Sequence, residues 1–158
     1  MLRLPAFLGL AVLAAVAISG CSDSTGPATG TLTGVSPAPA AVAVAPSTTI
    51  TLTFGQSMMT GMEQYMDLHQ GSIAGPTVPM TCAWNPGRIA LTCTPSSPLA
   101  ASSQYTIHVG AGMTDSQGHM MDLADWTTLG GQWASSGMMG AGWKHDSHYG
   151  MLFAFTTA

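Results

Sequence analysis

The sequence predicts an all-β fold, an antiparallel β-sandwich, on three observations. Short segments alternate strictly between apolar and polar residues. Turn signals rich in Pro, Gly, Asn and Ser separate them. No stretch has the composition of a convincing long helix. Six or seven short strands of this kind bury their apolar faces by packing as two sheets.

The chain begins with a segment that does not belong to that fold. Residues 1–20 read as an export signal, with Arg3 as the positive n-region and an apolar run of 15 residues at 4–18. A membrane span needs about 20 apolar residues, so the run is short for one. It ends in Ile18-Ser19-Gly20-Cys21, which resembles the bacterial lipobox, in which the Cys is lipidated and becomes the first mature residue. Ser22, where an Asp would signal retention, implies outer-membrane sorting in a Gram-negative envelope. Residues 21–30 form a polar, flexible tether, and 31–158 form the domain.

The strands follow in order. Residues 31–35 are a candidate first strand. Residues 36–46 are Pro/Ala-rich, unsuited to a central strand or helix, and are expected to run extended along a sheet edge. Thr49-Ile50-Thr51-Leu52-Thr53-Phe54 puts Ile50, Leu52 and Phe54 on one face and three Thr on the other. The next stretch, 55–71, reads as a loop with a helical turn, leading into a strand at 65–70. Residues 79–84 and 89–94 flank the turn signal Asn85-Pro86-Gly87 and form a hairpin. Residues 104–109 alternate again, with Tyr105, Ile107 and Val109 on one side and Thr106 and His108 on the other. His108 is expected to be solvated on that polar face. Residues 124–150 form a long loop rich in Gly, Met and Trp. Residues 151–157 close the chain as a strand.

Composition narrows the function. Beyond the signal only Arg88 and Lys144 are basic, against seven acids, a net charge of −5 with His neutral. Nucleic acid and anionic lipid headgroups are poor partners for such a chain. With Cys21 taken by lipid, Cys82 and Cys93 remain as an even pair in an oxidising compartment. A hairpin folded about Gly87 and Arg88 sets them opposite each other and favours a disulfide. A pair of thiolate ligands is the alternative. No Gly-x-Ser-x-Gly, His-Glu-x-x-His or phosphate-binding loop is present, so a non-catalytic role is expected.

The same strands resemble a known family. Leu32-Thr33-Gly34-Val35-Ser36-Pro37, and Ile50-Thr51-Leu52-Thr53-Phe54 followed by Met58, are similar to the opening of the bacterial Ig-like domains named after the S-layer protein SbsA. Leu91-Thr92-Cys93-Thr94-Pro95-Ser96-Ser97-Pro98-Leu99 and Tyr105-Thr106-Ile107-His108-Val109 resemble its middle. Met113-Thr114-Asp115-Ser116-Gln117-Gly118-His119 resembles its D-x-x-G-N turn, and Phe153-Ala154-Phe155-Thr156-Thr157 its last strand. The resemblance spans about 32–157. It implies an Ig-like sandwich of about seven strands, of a kind usual in non-catalytic modules of cell-surface proteins. Two departures stand out: His119 in place of Asn, and the long Gly/Met-rich loop before the last strand.

Both departures add Met or His. Eleven Met follow the signal. Thioether sulfur is a soft, neutral ligand suited to Cu(I) or Ag(I), and imidazole can also hold Cu(II). The candidate metal residues are Met59, Met62 and His69 in the first cluster, His119, Met120 and Met121 in the second, and Met138, Met139, His145 and His148 in the third. Met/His loops on such a sandwich are analogous, in architecture and ligand chemistry, to periplasmic copper carriers of the CopC type. Against this, Met fills gaps in cores. Met80 and Met113 read as core or turn residues, and Trp84, Trp126, Trp133 and Trp143 as packing residues. The expected function is a lipid-anchored envelope protein binding a soft metal. The alternative is a structural or adhesion module contacting another envelope protein or a polymer.

Overall fold

The computed structural model describes residues 31–122, 124–134 and 150–158. The signal at 1–20, Cys21 and the tether at 21–30 lie outside them. So do Met138, Met139, Trp143, His145 and His148.

Eight strands form two antiparallel sheets. They are β1 (Leu32–Ser36), β2 (Ile50–Phe54), β3 (Met66–Gln70), β4 (Met80–Trp84), β5 (Ala90–Pro95), β6 (Gln104–Val109), β7 (Gln132–Trp133) and β8 (Met151–Thr156). The first sheet runs β1-β2-β5-β4 and the second β3-β6-β8-β7. Two short 3-10 turns, Met62–Tyr65 and Ala124–Leu129, are the helical elements among the described residues. No helix there is long and apolar enough to cross a membrane.

The alternation seen in the sequence sets the faces. Ile50, Leu52 and Phe54 of β2 are buried, as are Tyr105, Ile107 and Val109 of β6 and Met151, Phe153 and Phe155 of β8. These side chains meet between the sheets as one core. Complete burial of such a side chain contributes about 1.5–3 kcal/mol. Strands of five or six residues therefore suffice, provided each places two or three side chains inside.

The Pro-rich segment lies along β8, as its composition suggests. Ala40 and Val44 donate backbone hydrogen bonds to Ala154 and Thr156, and Val44 pairs in parallel with Thr157. It covers the part of the β8 edge that the two-residue β7 leaves open, since β7 reaches only Met151 and Leu152. The β4–β5 hairpin has the expected register, with Cys82 directly opposite Cys93. The two form a disulfide, with Cα atoms 4.0 Å apart.

Two expectations for side chains fail. His108 is not solvated but fully buried. Its strand, β6, lies inside the second sheet between β3 and β8, so neighbouring side chains flank it on both sides. Trp133 is 37% exposed, whereas Trp126 is buried and Trp84 packs on Phe54 at 5.6 Å between ring centroids. The exposure of Trp133 follows from its place on the short edge strand β7.

Candidate metal centres

Among the described residues, the Met/His sequence clusters separate into two places in the fold. The first is one end of the sandwich. There the loop after β2 meets the loop after β6. Met59 N–H donates to the Thr114 carbonyl (3.1 Å) and Ser116 N–H to the Ser57 carbonyl (2.8 Å). Met58 bridges to Asp115, and Thr114 bridges to Met120. Thr114 is the focus of this end. Its backbone N–H and its hydroxyl donate to the Met62 sulfur at 3.2 and 3.4 Å. The hydroxyl lies 3.7 Å from the Met59 sulfur. Two thioethers thus converge on one hydroxyl, with Met120 across the bridge. Met59 is 38% exposed, Met62 is buried and Met120 is half-buried.

The rest of the second cluster is placed differently. Met121 is in the core, with Met113. His119 is held by Asp115, the buried first residue of the turn. The Asp115 carboxylate accepts from the backbone N–H of Gln117 (2.8 Å) and of His119 (2.9 Å). Its second oxygen lies 3.1 Å from His119 Nδ1. Burial alone would raise the Asp115 pKa, but these hydrogen bonds outweigh it and hold the carboxyl below its ordinary value. Met120 pairs with Thr114 in an isolated antiparallel bridge, while His119 is tied to Asp115. The Met core residues Met58, Met66 and Met151 are fully packed and act as hydrophobic filling.

The second place is the outer face of the second sheet. Asp67 and His69 are two apart on β3, so their side chains share a face. Register sets Asp67 opposite His108 and His69 opposite Thr106. One ligand atom each from Asp67, His69 and His108 lies within 4.8 Å of the others. The two imidazole rings are 6.4 Å apart between centroids. His69 is 4% exposed; its Nδ1 lies 3.0 Å from the Gly75 carbonyl oxygen. Burial raises the Asp67 pKa, and the neighbouring His69 and His108 pull it back down in part. Reading the sequence singled out His69 alone of these three. The signal for Asp67 was present in Asp67-Leu68-His69, a period-two pair on a strand. His108 joins them only through the pairing of β3 with β6.

Known proteins share this architecture. The profile of the bacterial Ig-like domain family matches residues 23–129. A search of curated proteins finds no match. Among solved structures, PcoC, a methionine-rich copper resistance protein from Escherichia coli, superposes with a TM-score of 0.52 at 15% identity, covering 83% of this chain and 100% of that one. CopC from Methylosinus trichosporium OB3b superposes at 0.50 and 16% identity, covering 81% and 92%. Domains 1–6 of the surface layer protein SbsC give 0.48 at 13% identity, covering 81% of this chain, which spans only 13% of that one. At such identities the likeness to PcoC and CopC establishes a shared fold alone. With the family profile matched over most of the domain and two four-stranded antiparallel sheets to carry it, the chain belongs to the bacterial Ig-like domain family.

Proposed function

We propose that this is a lipid-anchored, extracytoplasmic Ig-like protein that binds a soft metal ion, Cu(I) or Ag(I), for buffering, resistance or delivery. The observation that carries the proposal is the convergence of the Met59 and Met62 sulfurs on Thr114, with Met120 across the bridge, at one end of the sandwich. Thioethers drawn from separate loops are a donor set for a soft monovalent ion. They keep their competence where thiols are oxidised, and here Cys82 and Cys93 are bridged. PcoC and CopC share the fold, and PcoC, a methionine-rich copper resistance protein, lends support to the reading. On sequence alone, Met138, Met139, His145 and His148 extend the donor set. Anchoring through Cys21 and outer-membrane sorting belong to the same proposal, as does a non-catalytic role.

The test is a Cu(I) titration of the purified protein against a competing chelator, with the disulfide intact. Sub-micromolar binding that weakens when Met59, Met62 and Met120 become Leu supports the proposal. A protein that never competes with the chelator refutes it. A second reading is a structural or adhesion module contacting an envelope protein or polymer. The observation in its favour is that Met62 is buried and its sulfur already accepts from Thr114, as a packing residue would.

A further inference from the structure

We propose that Asp67, His69 and His108 form a second metal site, for a divalent ion of borderline softness, Zn(II) or Cu(II), on the outer face of the second sheet. It is separate from the Met loops in place and in donor chemistry. Its donors are two imidazole nitrogens and a carboxylate oxygen, with no thioether among them. That set suits Zn(II) and Cu(II) and is ill-matched to Cu(I) or Ag(I).

The orientation of His69 is the strongest sign. A carbonyl oxygen only accepts, so the contact of Nδ1 with the Gly75 carbonyl places the ring proton on Nδ1. Nε2 is then left with its lone pair. That atom is buried and has no hydrogen-bond partner among the described residues. A backbone carbonyl fixing one ring nitrogen so that the other can coordinate is the usual support for a metal-bound His. Gly75 is held in place for this, because residues 76–78 pair along β3 through Gln70 N–H to Pro76 and Val78 N–H to Leu68.

The geometry requires little movement. A tetrahedral ion with bonds of about 2.0–2.2 Å holds its donors about 3.3–3.6 Å apart. One ligand atom from each residue lies within 4.8 Å of the other two, so bringing three donors to that spacing takes a side-chain movement on the order of 1.5 Å. The backbone needs no change, since Asp67 and His108 are already cross-strand partners. Asp67 is only half-buried, which leaves a way in for the ion and a fourth position for water. One carboxylate and two neutral imidazoles offset half of a dication's charge.

Zn(II) is the probe that isolates this site, because it neglects thioethers. The full chain, stripped of metal, is titrated with Zn(II) against a chromogenic chelator. Wild type is expected to take one equivalent with sub-micromolar affinity. Asp67→Asn and His69→Gln are each expected to weaken binding at least about tenfold, the lower range seen even for outer-shell changes. Met59→Leu with Met62→Leu leaves Zn(II) binding unchanged, even if it abolishes Cu(I) binding, so the two sites can fail independently. His119→Ala and the pair His145→Ala, His148→Ala also leave it unchanged. Far-UV circular dichroism confirms that each variant is folded. A measurement on wild type alone guards against misfolding: Zn(II) must shift the His69 Nε2 resonance in a nitrogen-detected spectrum of the ring. Absence of competitive Zn(II) binding overturns the proposal. So does binding that survives Asp67→Asn and His69→Gln, or that is lost with His119, His145 or His148 instead, or a His69 resonance that does not move.

Discussion

Removing the Cys82–Cys93 bridge is expected to destabilise the domain by about 3 kcal/mol. The two residues are 11 apart in sequence and face each other on the β4–β5 hairpin. Closing a loop of that length takes about 9 cal/mol/K from the unfolded chain, or about 2.8 kcal/mol at 25 °C. Cys93 is fully buried and β4 is an edge strand, held to the sheet by β5 alone. The loss therefore falls on a strand with few other ties. The assay is urea unfolding followed by tryptophan fluorescence, since Trp84 sits on β4 itself. Wild type is compared with the double variant Cys82→Ala, Cys93→Ala. For a urea slope of about 1–3 kcal/mol/M, the midpoint should fall by roughly 1–3 M. An unchanged midpoint with an unchanged slope would refute the reasoning, and would mean that β4 is held by its side chains rather than by the covalent tie. The result also bears on metal binding. Reduction would liberate two thiolates, themselves soft metal ligands, so the proposed copper titration is made with the bridge intact.

Three further outcomes follow from the structure. Gly150 has φ +118°, and a Cβ there would meet the Val109 carbonyl oxygen, so Gly150→Ala should cost about 2 kcal/mol or more and lower the melting temperature by several degrees; a wild-type melt would contradict this. Met62→Leu leaves the Thr114 N–H and hydroxyl without their sulfur acceptor and should cost about 1 kcal/mol in chemical unfolding. Met59→Leu, at an exposed position, should stay within about 0.5 kcal/mol of wild type, and equal losses at both sites would discredit the distinction. The Asp115 carboxyl titrates below its ordinary value of 3.8, so its contribution to stability is fully present above that pH and is lost as the pH falls through the lower folded value. Thermal melts across pH 2–5 should show a steeper acid loss for wild type than for Asp115→Asn, and parallel curves would show that the turn's hydrogen bonds do not depend on the charge.

The strands were legible because a period of two is a local property. Ile50, Leu52 and Phe54 announce a buried face without reference to any other strand, and so do Tyr105, Ile107 and Val109. The bridge between Cys82 and Cys93 was legible for the same reason, since one short hairpin sets their register. β7 was not, because two residues carry no pattern. The Met clusters were legible as composition but not as sites. Six Met side chains are buried in the core. Met59 and Met62 gain their common neighbour Thr114 only because the loops after β2 and β6 pair at one end of the sandwich. His119 and Met120 are adjacent in sequence yet have different partners, Asp115 for the one and Thr114 for the other, which simple nearness along the chain conceals.

The sequence by itself determined the fold class, the faces of the long strands, the hairpin and its disulfide, and the supply of soft donors. These depend on alternation, turn residues and residue chemistry, all of which act over a few positions. Only the tertiary structure decided that β3 pairs with β6, and with it that His108 is buried opposite Asp67 and beside His69. Strand pairing across the 34 or more residues between those positions rests on the sum of many side-chain contacts in the core. A shift of one residue in that register would turn His108 to the other face.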